Sequence, residues 1–158
     1  MTVNKRTVLF LCMHNSMRSQ MAEALLSKML GDRFEAFSAG LDPLPVNPLA
    51  ARVMAEVGIE LDRVRSKGLE EFRGRQFDFV VTLCDDTSLV CPFYGAGRHL
   101  LHKHFPDPAL VEGTEEEMLV AARRLRDSLT AWLTDTFGED KGGRGDRARA
   151  TAGGQAGK

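Results

Sequence analysis

Nowhere does the chain hold the roughly 20 consecutive apolar residues that a membrane-spanning helix needs, so a transmembrane protein is excluded as the reading. It also lacks an excess of either charge. Lys and Arg number 21 against 22 Asp and Glu, a formal net charge of −1, and nothing in that balance calls for nucleic acid or an anionic membrane as partner. Cysteine is scarce: three in 158 residues. An odd number at wide spacing is not the disulfide framework of a small secreted domain. Residues Met1 to Thr7 are too polar and too short for a signal peptide. A reducing cytoplasm is therefore expected, where cysteines tend to be catalytic, redox-active or metal-binding. No internal repeat is visible.

What is present is ordinary for one globular domain: 43% apolar and 27% charged residues, in a chain long enough to bury a proper core. Lys5 to Leu11 reads as a buried first strand, and Ser19 to Leu30 as a helix with Ser19 as N-cap and Gly31 at C′. Phe34 to Ala39 reads as a second strand closed by Gly40, and Leu49 to Val57 as a second helix stopped by Gly58. A short helix is expected over Ser66 to Phe72, a central strand over Phe77 to Leu83 and an edge strand over His99 to Phe105. Thr114 opens a long amphipathic helix with a capping box and carries it to about Phe137. Strands alternating with helices predict an α/β fold in three layers, a four-stranded parallel sheet with helices on both faces. The expected domain is 1–137. From Gly138 to Lys158 the chain holds seven glycines and almost nothing apolar, so 138–158 is expected to be a disordered, dispensable tail.

The densest signal is Cys12-Met13-His14-Asn15-Ser16-Met17-Arg18-Ser19, placed where the apolar run Val8-Leu9-Phe10-Leu11 gives way to the first helix. A strand–loop–helix junction turns backbone N–H groups and the positive end of a helix dipole toward one point. An oxyanion is held there, and a cysteine at the mouth has its thiolate favoured. Arg18 supplies a planar fork for two oxygens of a tetrahedral anion. Cys12 is thus the candidate nucleophile, and residues Met13, His14, Asn15, Ser16, Met17, Arg18 and Ser19 the candidate oxyanion cradle.

Two further groups belong to the same sheet edge. Cys84 follows the third strand, and Cys91 comes seven positions later. In a helix that separation is about 10.5 Å along the axis, whereas a disulfide wants Cα atoms within about 7 Å. A Cys84–Cys91 bond therefore requires the segment to loop or unwind, which makes a redox segment that changes shape one reading. A Cys/His metal site drawing on Cys91, His99, His102 and His104 is another, though its spacing matches no usual zinc pattern, and no metal is expected. Asp107, between Pro106 and Pro108, is held in direction by its neighbours and is the candidate general acid, with Asp85 and Asp86 as rivals.

Taken together, Cys12 to Glu23 (CMHNSMRSQMAE), Val80-Val81-Thr82-Leu83-Cys84 with Cys91-Pro92, and Phe105-Pro106-Asp107-Pro108-Ala109 resemble the thioredoxin-coupled arsenate reductases. Those share the low-molecular-weight protein tyrosine phosphatase fold. Ser38-Ala39-Gly40 and Val46-Asn47-Pro48 also look like positions of that family, and the resemblance covers about residues 5 to 137. It implies that Cys12 attacks arsenate held by the loop and Arg18, that Asp107 protonates the leaving oxygen, and that Cys84 then releases arsenite, leaving a Cys12–Cys84 disulfide. Cys91 next takes over Cys84, and the Cys84–Cys91 disulfide goes to thioredoxin, with glutathione and glutaredoxin as alternative reductants. Phosphate and sulfate are expected mimics, no cofactor is expected to stay bound, and the protein is expected to be a cytoplasmic monomer.

Three positions depart from that family. Met17 replaces a second loop cysteine, and His14 a glycine, which strains the loop if its φ is positive. Lys67 stands where some relatives have an acidic residue that helps hold potassium with Asn15, Glu23 and Ser38; its ammonium is expected to take the cation's place. One rival function is a phosphatase, for phosphotyrosine or a small phosphoester, using only Cys12, Arg18 and Asp107. It leaves Cys84 and Cys91 idle, and Ala109 and Leu110 follow the acid where the phosphatases carry aromatics. A thiol-based sensor is the other rival, and it has no use for an oxyanion loop.

Overall fold

A computed structural model describes residues 5–61, 66–83 and 97–138. The element order is β1 (Arg6–Cys12), α1 (Arg18–Leu30), β2 (Phe34–Gly40), α2 (Pro48–Ala55), a 3-10 turn (Leu69–Phe72), β3 (Phe77–Thr82), β4 (Gly97–His102), a second 3-10 turn (Pro108–Leu110) and α3 (Glu115–Phe137). The four strands form one sheet in the order β2-β1-β3-β4, and every pairing is parallel. From Val8 to Cys12 the whole of β1 is buried, as an inner strand of a parallel sheet must be. Its carboxyl end therefore opens at the centre of one sheet edge.

Alternation along β1 sorts the core into two faces. Val8 and Phe10 point into the larger cluster, which also holds Met21, Leu25 and Leu26 of α1, Val53 and Met54 of α2, and Leu125, Leu129 and Leu133 of α3. Leu9 and Leu11 point the other way, to Phe77, Val80 and Phe72 of the first 3-10 turn. There Phe37, Phe72 and Phe77 meet edge-on with centroids 5.6 to 5.8 Å apart. Helices, sheet and helical turn make the three layers.

Several boundaries differ from the sequence reading, each for a local reason. α1 begins at Arg18 with Met17 as N-cap and no side-chain cap, so Ser19 lies inside the helix; its hydroxyl is engaged elsewhere. Gly31 keeps a right-handed φ of −64° rather than the left-handed cap expected. α2 starts a residue earlier than expected, at Pro48, because Asn47 caps it by accepting from the Leu49 N–H at 2.8 Å, and it ends at Ala55. The helix expected over Ser66 to Phe72 is only the four-residue turn. β4 is an edge strand as expected but lies earlier, over Gly97–His102. The capping box of α3 is present, with Thr114 and Glu117 bonded reciprocally. The expected tail beyond Gly138, with Cys84 and Cys91, lies outside the described residues.

Candidate active site

Cys12 ends β1 and is 2% exposed. The loop after it runs to the N-terminus of α1, whose dipole favours negative charge at the sulfur. The loop's shape comes from its carbonyls, which are all occupied. Met13 C=O accepts from the Asp42 N–H at 2.8 Å, His14 C=O from Leu44 at 3.0 Å and Ser16 C=O from Asn47 at 2.9 Å. Asn15 C=O accepts from the Ser66 hydroxyl at 2.9 Å. Four successive carbonyls are thus tied outward. Among the described residues, no backbone carbonyl accepts from the N–H groups of His14, Asn15, Ser16 or Met17, and such a run of amides is an anion nest.

A second layer orients the sulfur. Ser19 Oγ lies 2.9 Å from Cys12 Sγ and accepts from Asn15 Nδ2 at 2.8 Å. Either atom can donate in the Cys12–Ser19 pair; a thiolate sulfur only accepts, so Ser19 is the donor to an ionised Cys12. Asn15 Oδ1 in turn accepts from Gln20 Nε2 at 3.0 Å and from the Lys67 N–H at 2.6 Å. Asn15 is fully buried with φ of 49°, and asparagine is among the residues that tolerate this left-handed geometry. The left-handed residue is therefore Asn15. His14, where strain was a concern, has no positive φ, and its Nδ1 sits 2.8 Å from the Asp42 carbonyl. The Gly40 position leaves no room for a side chain: a Cβ there would come within 2.6 Å of Asn15 N and 2.8 Å of His14 C.

Arg18 opens α1 directly after the loop. Its guanidinium donates to the Phe105 carbonyl at 3.2 Å and to Asp107 Oδ2 at 3.4 Å, with both side chains largely buried. Asp107 thus stands beside the Arg18 guanidinium, at the mouth of the loop. Behind the loop, Lys67 Nζ lies 3.7 Å from Glu23 Oε1, and the same carboxylate oxygen accepts from Ser38 Oγ at 2.5 Å.

The structure brings together Cys12, Asn15, Arg18, Ser19 and Asp107. Met13, His14 and Ser16 contribute backbone, and Met17 is buried at the helix start. It also places residues that the sequence did not single out for the loop: Gln20, Ser66 and the Phe105 carbonyl. Their spacing carries no motif, since each acts on the loop through tertiary contact. Of the histidines considered for a metal, His99 stacks on Phe79 at 5.0 Å and His102 Nδ1 lies 2.6 Å from Thr82 Oγ1. Leu83, the last described residue before Cys84, donates to the Leu11 carbonyl at 2.9 Å.

The chain is similar to known proteins. Residues 7–140 match the family described as low molecular weight phosphotyrosine protein phosphatase. An arsenate reductase of Halalkalibacterium halodurans is 41% identical over 127 residues, which cover 80% of this chain and 91% of that one. Solved structures of an arsenate reductase in its phosphate-binding and oxidised states superpose with TM-scores of 0.67 and 0.71. Each is 26% identical and covers 82% of this chain and 95% of that one.

Proposed function

The chain belongs to the low molecular weight phosphotyrosine protein phosphatase family, and we propose that within it the protein works as an arsenate reductase. The observation that carries this reading is the Cys12 sulfur in hydrogen-bond contact with Ser19 beneath a loop whose four carbonyls face away. Such an arrangement suits a cysteine nucleophile attacking a tetrahedral oxyanion seated in the loop. The identity to arsenate reductases and the two further cysteines favour reduction over hydrolysis.

In this mechanism the nest amides and Arg18 hold arsenate with arsenic facing Cys12. The thiolate attacks arsenic, Asp107 supplies a proton to the departing oxygen, and water leaves a Cys12–arsenic adduct. The Cys84 thiolate then attacks the Cys12 sulfur. A Cys12–Cys84 disulfide forms, the sulfur–arsenic electron pair stays on arsenic, and arsenic(V) departs as arsenite, arsenic(III). Cys91 attacks Cys84, frees Cys12 and leaves Cys84–Cys91 for reduction by thioredoxin. The carboxyl ends of β1 and β3 are neighbours through the Leu83–Leu11 bond, which supports a hand-over from Cys12 to Cys84. Lys67 supplies the positive charge beside Glu23, so exchanging potassium for sodium is expected to leave turnover unchanged; a strong potassium dependence would remove this role.

The test is arsenate-dependent NADPH oxidation with thioredoxin and thioredoxin reductase, on wild type and Cys91→Ser, with phosphoester hydrolysis alongside. Multiple turnovers in wild type and none in the variant are expected. Hydrolysis without arsenate turnover, indifferent to Cys91, would make the protein a phosphatase.

A further inference from the structure

Gln20 is a long polar side chain that is only 1% exposed. It lies in the first turn of α1, directly after Ser19. A neutral amide taken out of water costs free energy unless its polar atoms are matched, so a glutamine buried here is a built feature. Its Nε2 donates to Asn15 Oδ1 at 3.0 Å. Gln20, Asn15 and Ser19 thereby form one line of bonds that ends at the Cys12 sulfur.

A backbone group sets the direction of this line. The Lys67 N–H can only donate, and the Asn15 side-chain atom 2.6 Å from it is therefore the carbonyl oxygen. Asn15 Nδ2 is then the atom 2.8 Å from Ser19 Oγ. By the same logic, Gln20 must turn its NH₂ and not its oxygen toward Asn15. Asn15 Oδ1 accepts twice, from Lys67 and from Gln20. A carbonyl that accepts twice polarises its own NH₂ into a better donor, and a hydroxyl that receives such a bond donates better in turn. That hydroxyl is Ser19, the donor to an ionised Cys12. Gln20 and Ser19 are neighbours on one helix, so Gln20 keeps the Asn15 amide in step with the hydroxyl it serves. Without Gln20, Asn15 Oδ1 keeps Lys67 and loses its tie to α1.

We propose that Gln20 is a positioning residue for the nucleophile: through the Asn15 amide it aligns and strengthens the Ser19 hydrogen bond to ionised Cys12. This rests on the reading of Cys12 as the nucleophile of the proposed reductase, and it is tested on the sulfur itself. In the full chain, iodoacetamide alkylation of Cys12 at neutral pH is followed by mass on the peptide that carries it. Gln20→Met should slow alkylation by about threefold or more and leave the affinity for inorganic phosphate within about twofold, since the nest amides are untouched. In a Ser19→Ala background the same substitution should slow alkylation no further, because the line is already cut. The charged or titratable side chains around the loop are His14 with Asp42, Arg18 with Asp107, and Lys67 with Glu23. They act on the sulfur in both members of each comparison and cancel. Where Gln20→Met fails to fold, wild type decides: the Asn15 side-chain amide signals in ¹H–¹⁵N spectra should move as Cys12 ionises. Alkylation indifferent to Gln20→Met, equal slowing with and without the Ser19 hydroxyl, phosphate affinity lost in parallel, or Asn15 signals that ignore Cys12 ionisation would each overturn the proposal. Absent arsenate turnover with these results intact would overturn the reductase reading alone.

Discussion

Ser19 and Asn15 show how much a single hydroxyl and a single amide do in this site. Asn15 presents its N–H to Ser19, and Ser19 stands 2.9 Å from the sulfur, placed to donate to it once ionised. Ser19→Ala removes the one side-chain donor seen on Cys12 while leaving the nest intact. A hydrogen bond to a charged group contributes about 1.5–3 kcal/mol, so alkylation of Cys12 by iodoacetamide at neutral pH should slow by about tenfold or more. An unchanged rate would show that the helix dipole and amides suffice. At this scale the sequence was only partly legible. Cys12, Arg18 and Ser19 announce themselves by spacing within eight residues. Ser19 was nonetheless read as a helix cap, because local pattern cannot say which way a hydroxyl turns. Gly40, Ser66 and Lys67 act on Asn15 from 25 to 52 positions away, and no local period encodes that.

Among the elements, the contact of α2 with α3 is the most electrostatic. Glu56 is the C-cap of α2, an unfavourable place for a negative charge by the helix dipole. Arg123 and Arg126 offset it by donating to its carboxylate at 2.7 to 3.1 Å. Hydrogen bonds from Arg123 first, then Arg126, hold the Glu56 carboxyl down from 4.5 to about 2. A carboxylate depressed on folding stabilises the fold above its ordinary range, and that contribution is lost as pH falls through the folded value. The Tm gap between wild type and Glu56→Gln should therefore be constant near neutrality and narrow as pH drops from about 4.5 toward 2. Because the groups face solvent, the gap should also shrink in high salt. A gap independent of pH would assign the effect to packing. Elements with strong local chemistry were the legible ones: the box Thr114-Glu115-Glu116-Glu117 and the all-apolar β1. β4 was placed late because its burial alternates, and an edge strand with Gly97 and Arg98 at its start has no continuous apolar run to mark it.

For the whole molecule, the closing contact is Phe137. Its ring meets Phe34 at 5.1 Å, Phe79 at 5.2 Å and Trp132 at 6.1 Å, so the last residue of α3 holds β1's neighbours from below. The composition of the chain after Gly138 offers nothing comparable to bury. Ending the chain at Gly138 is expected to leave Tm and arsenate turnover unchanged, whereas Phe137→Ala in the full chain should destabilise it by about 3–5 kcal/mol, read from urea unfolding. A large loss on removing 139–158 would show that the tail contributes to the fold. Parallel topology was legible at this scale, because an alternation of strands and helices permits few other arrangements.

The four outward-tied carbonyls of Met13 to Ser16 carry a last consequence. A cradle braced before its guest arrives has a radius dictated by the chain, and tetrahedral anions differing slightly in bond length enter it alike. Such a mould is blind to the element at the anion's centre. If the protein reduces arsenate as proposed, discrimination against phosphate must come after capture, from which central atom keeps the electron pair of its bond to sulfur when that bond is cleaved. On that proposal phosphate competes for the seat, and selectivity resides in reactivity rather than in fit.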